Sequence, residues 1–108
     1  MRTLPILILL SPLLLACGSE SDSFNRTAAT YECTIADECG IGVIETSLEQ
    51  CIRQRTNSWV YYSERCTYDV ETGTAYLDTS QQILDTCESR ELPYPDAVYT
   101  DCDWSHDE

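Results

Sequence analysis

The chain has 108 residues, with 19 acids against 6 bases and a formal net charge of −13 at pH 7. The bases are all arginines (Arg2, Arg26, Arg53, Arg55, Arg65 and Arg90), and no basic cluster is denser than Arg53 with Arg55. That field has the wrong sign for nucleic acid, whose binding depends on cations that displace condensed counterions, and anionic headgroups repel it too; a cationic partner, a divalent metal or water alone suits it better.

The first element is an export signal over residues 1–16. Met1 and Arg2 give a short positive start, and an apolar run extends from Leu4 to Leu15. A membrane span needs roughly 20 apolar residues, and Pro5 and Pro12 break up a long helix; a signal peptide needs only about 7–15. The run closes on Leu14-Leu15-Ala16-Cys17, which resembles the lipobox of bacterial lipoproteins. The resemblance implies cleavage before Cys17, a diacylglyceryl group on its thiol, and acylation of the new amine, with palmitate as one such chain. Two or more chains anchor a protein stably. Gly18 stands where an Asp would retain many such proteins in the inner membrane, so the resemblance implies a lipid-anchored protein of the cell envelope, at the outer membrane. The alternative is an ordinary secretory signal and a secreted cysteine-rich effector-like peptide. Seven cysteines are an odd number, which needs an explanation in an exported chain; lipidation of Cys17 supplies one.

Residues 17–29 read as the lipidated N-terminus and a flexible tether, rich in small and polar residues with Phe24 as the only large apolar one. Asn25-Arg26-Thr27 matches the N-glycosylation sequon, an accidental match in a bacterial chain.

Residues 30–108 form the domain. Cys33, Cys39, Cys51, Cys66, Cys87 and Cys102 are separated by gaps of 6, 12, 15, 21 and 15 residues, without a C-x-x-C or a His pair, the one histidine, His106, falling four residues after Cys102. Zinc and redox motifs need those features, so the six cysteines are expected in three disulfides, which a small core requires. Fifteen pairings are open. Tyr31, Ile35 and Cys39 share a helix face, although Tyr31, Cys33 and Ile35 also alternate as in a strand. If residues 30–39 are helical, Cys33 and Cys39 lie about 9 Å apart, too far to bond each other. Ser47 caps a short helix in LEQCIRQR, with Glu49 early and Arg53 and Arg55 late, as the helix dipole prefers. Trp59 to Tyr62 suits a strand or a buried helical turn. Thr74 to Glu88 has helical spacing at Tyr76, Ile83 and Cys87, with Gly73 expected to break the chain before it. Leu92-Pro93-Tyr94-Pro95 is a rigid loop, and Ala97 to Trp104 suits an extended tail stapled through Cys102. The fold class expected is small, all-α and disulfide-rich, with α+β as the alternative.

The cysteine rhythm, with Cys33 and Cys39, a short loop, then Ser47-Leu48-Glu49-Gln50-Cys51 opening a helix, is similar to that of small cysteine-rich lipoproteins of environmental Gram-negative bacteria. The likeness spans roughly residues 31–90 and implies no particular activity.

Chemistry is sparse. The single histidine, His106, is near the C-terminus, where mobility ill suits a base that needs fixed geometry. There is no Gly-rich phosphate loop, no G-x-S-x-G and no H-E-x-x-H. Asp37-Glu38 and Asp101-x-Asp103 are the densest acidic pairs before the tail, and Asp101, Asp103, His106, Asp107 and Glu108 form a negative patch without an EF-hand pattern. Tyr61, Tyr62, Tyr68, Tyr94, Tyr99, Trp59 and Trp104 suit a core better than a ligand site. The expectation is a non-enzymatic binding or interaction module of the envelope with no cofactor and no metal; the alternative is an envelope enzyme using paired carboxylates.

Overall fold

A computed structural model describes residues 20–44 and 46–105. The expected signal segment, residues 1–16, Cys17 and His106 lie outside these residues. Helix α1 spans Glu20–Cys39, α2 Leu48–Ser63, α3 Val70–Thr86, and a single turn, α4, Pro95–Val98. Two strands of two residues each, β1 Thr67–Tyr68 and β2 Tyr99–Thr100, pair antiparallel with Thr67 opposite Thr100 and Tyr68 opposite Tyr99. The fold is therefore small, helical and disulfide-rich, with one short β pair. No helix among the described residues is long and apolar enough to cross a membrane.

The tether expected over residues 17–29 is corrected from Glu20 onward, because that stretch is the first half of α1. Polar residues dominate its composition, but a helix gathers its few apolar ones on one face. Phe24 is 2% exposed, and Ala28 and Ala29 are fully buried. Glu20 and Asp22 lie in the first turn, where the dipole favours acids. The expected helix at Tyr31–Cys39 is the continuation of this face.

Phe24 is the centre of the core. Its ring centroid lies 5.0 Å from that of Trp59 on α2, 5.3 Å from Tyr68 on β1, 5.6 Å from Tyr76 on α3 and 6.1 Å from Tyr99 on β2. Most of these rings meet edge to face or tilted, the arrangement their quadrupoles prefer. Beside them, the Tyr99 hydroxyl donates to Asn25 Oδ1, Asn25 Nδ2 donates to Ser63 Oγ at 3.1 Å, and Ser63 Oγ donates to the Val60 carbonyl at 2.9 Å. This chain satisfies the buried amide, which would otherwise be costly. It also leaves the asparagine of the Asn25-Arg26-Thr27 sequon fully buried.

Ser47 caps α2 as expected, accepting from the Gln50 amide at 3.1 Å. The helix runs on through Trp59 and Tyr62 to Ser63, so the aromatic run is helical and not a strand. Gly73 does not break the chain. Helix α3 starts earlier, capped by Asp69, which accepts from the Thr72 amide at 3.2 Å. Gly73 lies inside the helix because the Tyr68 ring packs onto it; a β-carbon there would stand 2.7 Å from Tyr68 Cε1. The tail is extended only from Tyr99, since Pro95 opens a helical turn as an N-terminal proline can. Hydrogen bonds from the Asp69 amide to the Val98 carbonyl and from the Asp103 amide to the Arg65 carbonyl, both 2.8 Å, flank the β pair.

Three disulfides join Cys33 to Cys51, Cys39 to Cys87 and Cys66 to Cys102, with Cα separations of 6.0, 5.1 and 4.0 Å. Cys33 and Cys39 reach different elements, as a helical 30–39 requires. Helix α1 packs along both α2 and α3, while α2 and α3 touch through the Trp59–Tyr76 ring pair, 5.5 Å between centroids.

Two substitutions test this core. Replacing Phe24 with Ala is expected to cost about 3–5 kcal/mol in urea unfolding of the oxidised protein, whereas a residue in a solvated tether would cost almost nothing. Gly73→Ala is expected to cost about 1–3 kcal/mol through overpacking against Tyr68.

Candidate functional site

At the aromatic end of the bundle the space between helices is filled by rings. Further along, where α2 approaches Cys51 and α3 approaches Ile83, it is not, and a cavity of about 300 Å³ opens between α1, α2 and α3. Small and aliphatic side chains, among them Ile35, Ala36 and Ile83, form its walls. Cys51 also lines it, so the Cys33–Cys51 bridge is part of the wall. The α1–α2 loop supplies Ile41 and Val43, with Gly42 at φ +96°, a backbone conformation that glycine adopts without strain. Ser89, Arg90 and Leu92 close the other side, held near α1 by the Cys39–Cys87 bridge. Cys87 itself takes a left-handed conformation, φ +54°, ending α3 with its amide bonded to the Ile83 carbonyl.

Glu32 is the distinctive group. It falls four residues after Ala28 on the buried stripe of α1, which points its carboxyl between α2 and α3. The Tyr76 hydroxyl donates to Glu32 Oε2 at 3.1 Å. Glu32 Oε1 is buried and no donor among the described residues hydrogen-bonds to it. Burial holds the Glu32 carboxyl above its ordinary pKa; the Tyr76 hydroxyl, the Arg55 charge and the Trp59 indole pull it part of the way back. Only the Tyr76 contact among these is a hydrogen bond by distance and angle. The Tyr76 phenol is raised well above its usual range by burial and by the facing carboxylate, opposed by Arg55, so it remains a proton donor at any physiological pH. Ser80, 1% exposed, adds a hydroxyl to the same wall.

None of these residues was singled out from the sequence except within larger sets. The signal for Glu32 was present: an acid at a core-facing position of the stripe Phe24, Ala28, Ile35. Of the expected features, the six cysteines of the domain all pair. Asp37, Glu38, Asp101 and Asp103 are exposed, and no group of three His, Cys, Asp or Glu among the described residues is placed to hold a metal ion. Trp59 and Tyr99 are core, and Tyr62 and Tyr68 pack against it. Tyr61 and Trp104 stack on the surface at 5.8 Å, with the Arg65 guanidinium 3.9 Å over the Tyr61 ring. Tyr94 is 69% exposed.

No protein-family model, curated protein or solved structure matches this chain. The site is read from its own chemistry.

The burial of Glu32 makes a signed prediction. The folded chain keeps a proton on this carboxyl at pH values where the unfolded chain, with an ordinary value of 4.5, has lost it. That contribution to stability is full below 4.5 and is lost as pH rises through the elevated folded value. Glu32→Gln, which keeps an acceptor for Tyr76 and cannot ionise, is expected to melt above the parent protein at pH 8, with the gap closing towards pH 4. Thermal melts across that range check it; a gap that is constant or widens at low pH contradicts it.

Proposed function

We propose that this chain is a lipid-anchored, non-enzymatic binding module of the bacterial cell envelope, exported by residues 1–16 and attached at the outer membrane through acyl chains on Cys17. The observation that carries the anchor is the cysteine tally. The six domain cysteines bridge one another, and the thiol left over is the one that ends Leu14-Leu15-Ala16-Cys17.

Chain geometry supports a division between anchor and site. Only Gly18 and Ser19 separate Cys17 from Glu20, and an extended chain spans at most about 3.6 Å per residue. The anchor therefore lies within roughly 11 Å of the start of α1. Glu32 lies about 18 Å along the same helix, at 1.5 Å per residue. The Glu32 wall of the cavity is therefore set back along α1 from the anchored end.

Two other readings fit less well. A eukaryotic secreted effector would carry its Asn25-Arg26-Thr27 sequon through the glycosylation machinery with the asparagine fully buried in the folded state. An enzyme using paired carboxylates needs a second acid in the cavity, and among its described lining Glu32 is the only one.

Intact mass of the protein taken from its native membrane is the test. The expected product begins at Cys17 and carries acyl mass, and Cys17→Ala releases the protein into the soluble fraction. A Cys17 thiol found free or disulfide-bonded, with no hydrocarbon, overturns the anchor.

A further inference from the structure

We propose that the cavity's ligand is a small zwitterion with an apolar body, the chemistry of an apolar α-amino acid or a very short apolar peptide. This rests on the cavity being the binding site, and not on the lipid anchor.

The lining carries the argument. The protein as a whole has 19 acids and 6 bases, yet the charged residues of the described cavity lining are one acid, Glu32, and two bases, Arg55 and Arg90. The surface repels anions, and the cavity is the place where an anionic group meets a local excess of guanidinium. Arginine is the side chain best suited to a carboxylate, which it can grip with two parallel bonds. Arg90 also reaches Glu88 at 3.9 Å on the surface; an exposed pair of that length holds it weakly.

Glu32 makes the opposite demand. Its Oε1 is a buried acceptor with no donor among the described residues. Buried acceptors of this kind are expensive unless something donates to them. Tyr76 already occupies Oε2, so the complementary group is a further donor, and an ammonium supplies both hydrogen bonds and charge. Ser80 offers that ammonium a second, neutral acceptor on the same wall. Ile35, Ile83 and Leu92 line the same cavity and fit an aliphatic or aromatic body. A volume of about 300 Å³ is at the small end of ligand sites, the size of one or two residues. The flanking disulfides hold the walls before the ligand arrives, which spares the ordering cost of binding.

The experiment is isothermal titration calorimetry on the oxidised protein with leucine, phenylalanine, dileucine, N-acetyl-leucine, leucinamide and the neutral probe 3-methylbutan-1-ol. Leucine, phenylalanine or dileucine is expected to bind, and the better of leucine and dileucine identifies a free amino acid or a peptide as the source. Blocking the amine or the carboxylate is expected to weaken leucine binding about tenfold or more. Glu32→Gln is expected to abolish the preference for leucine over N-acetyl-leucine, and Arg55→Gln with Arg90→Gln the preference over leucinamide, in proteins whose melts show them folded. Equal binding of the blocked and free forms, or binding of the neutral alcohol alone, overturns the zwitterion and leaves the cavity as a binding site. No heat from any of the six up to about 10 mM, a very weak affinity limit, overturns both.

Discussion

The molecule is organised around the ring of Phe24. Trp59, Tyr68, Tyr76 and Tyr99 surround it, so every long helix and both strands contribute to one aromatic contact. In a domain this small, a core alone rarely gives a wide margin of stability, and aromatic side chains bury more area per residue than any others. Concentrating them at one point fixes the depth at which α2 and α3 lie on α1. The same placement brings Cys33 opposite Cys51 and Cys39 opposite Cys87, since both pairs lie farther along the helices that Phe24 has set in register.

The two ends of the bundle are then stabilised differently. The Phe24 end is packed, closed by the β pair and stapled once, through Cys66 and Cys102. The other end is stapled twice, and its interior, where small residues such as Ala36 and Ser80 stand among the lining, is left unfilled. Covalent links there take over the part that packing has at the first end, and the space survives as a cavity. Glu32 at its wall is a local violation of core rules, and such violations tend to mark sites of function because they must be offset elsewhere.

Much of the helical framework was legible in the sequence. Ser47 marks its helix by capping chemistry, and the Tyr31–Ile35–Cys39 spacing marks the later half of α1. The earlier half is not legible, because composition averages over a window while burial depends on direction: one Phe and two Ala on a single face, joined by the buried Asn25, outweigh six polar neighbours that are exposed or partly exposed. Gly73 misled for a related reason. A glycine within a helix reads as a break when only propensity is considered, but the cause here is a tyrosine ring from five residues earlier, and that approach exists only in three dimensions. The cavity was the least legible feature. Glu32, Arg55, Tyr76 and Arg90 come from three helices and a loop, and no spacing along the chain announces their meeting.

The order of the bridges has a consequence for how this protein is made. Counted along the domain, the first cysteine bonds the third, the second the fifth and the fourth the sixth; no cysteine is joined to its neighbour in sequence. Any link made between neighbours in sequence while the chain is still unfolded, such as Cys33 with Cys39, has to be broken by thiol–disulfide exchange before the native set can form. Reaching the native set therefore draws on reshuffling as well as oxidation, a step that takes seconds to hours depending on oxidant and isomerase.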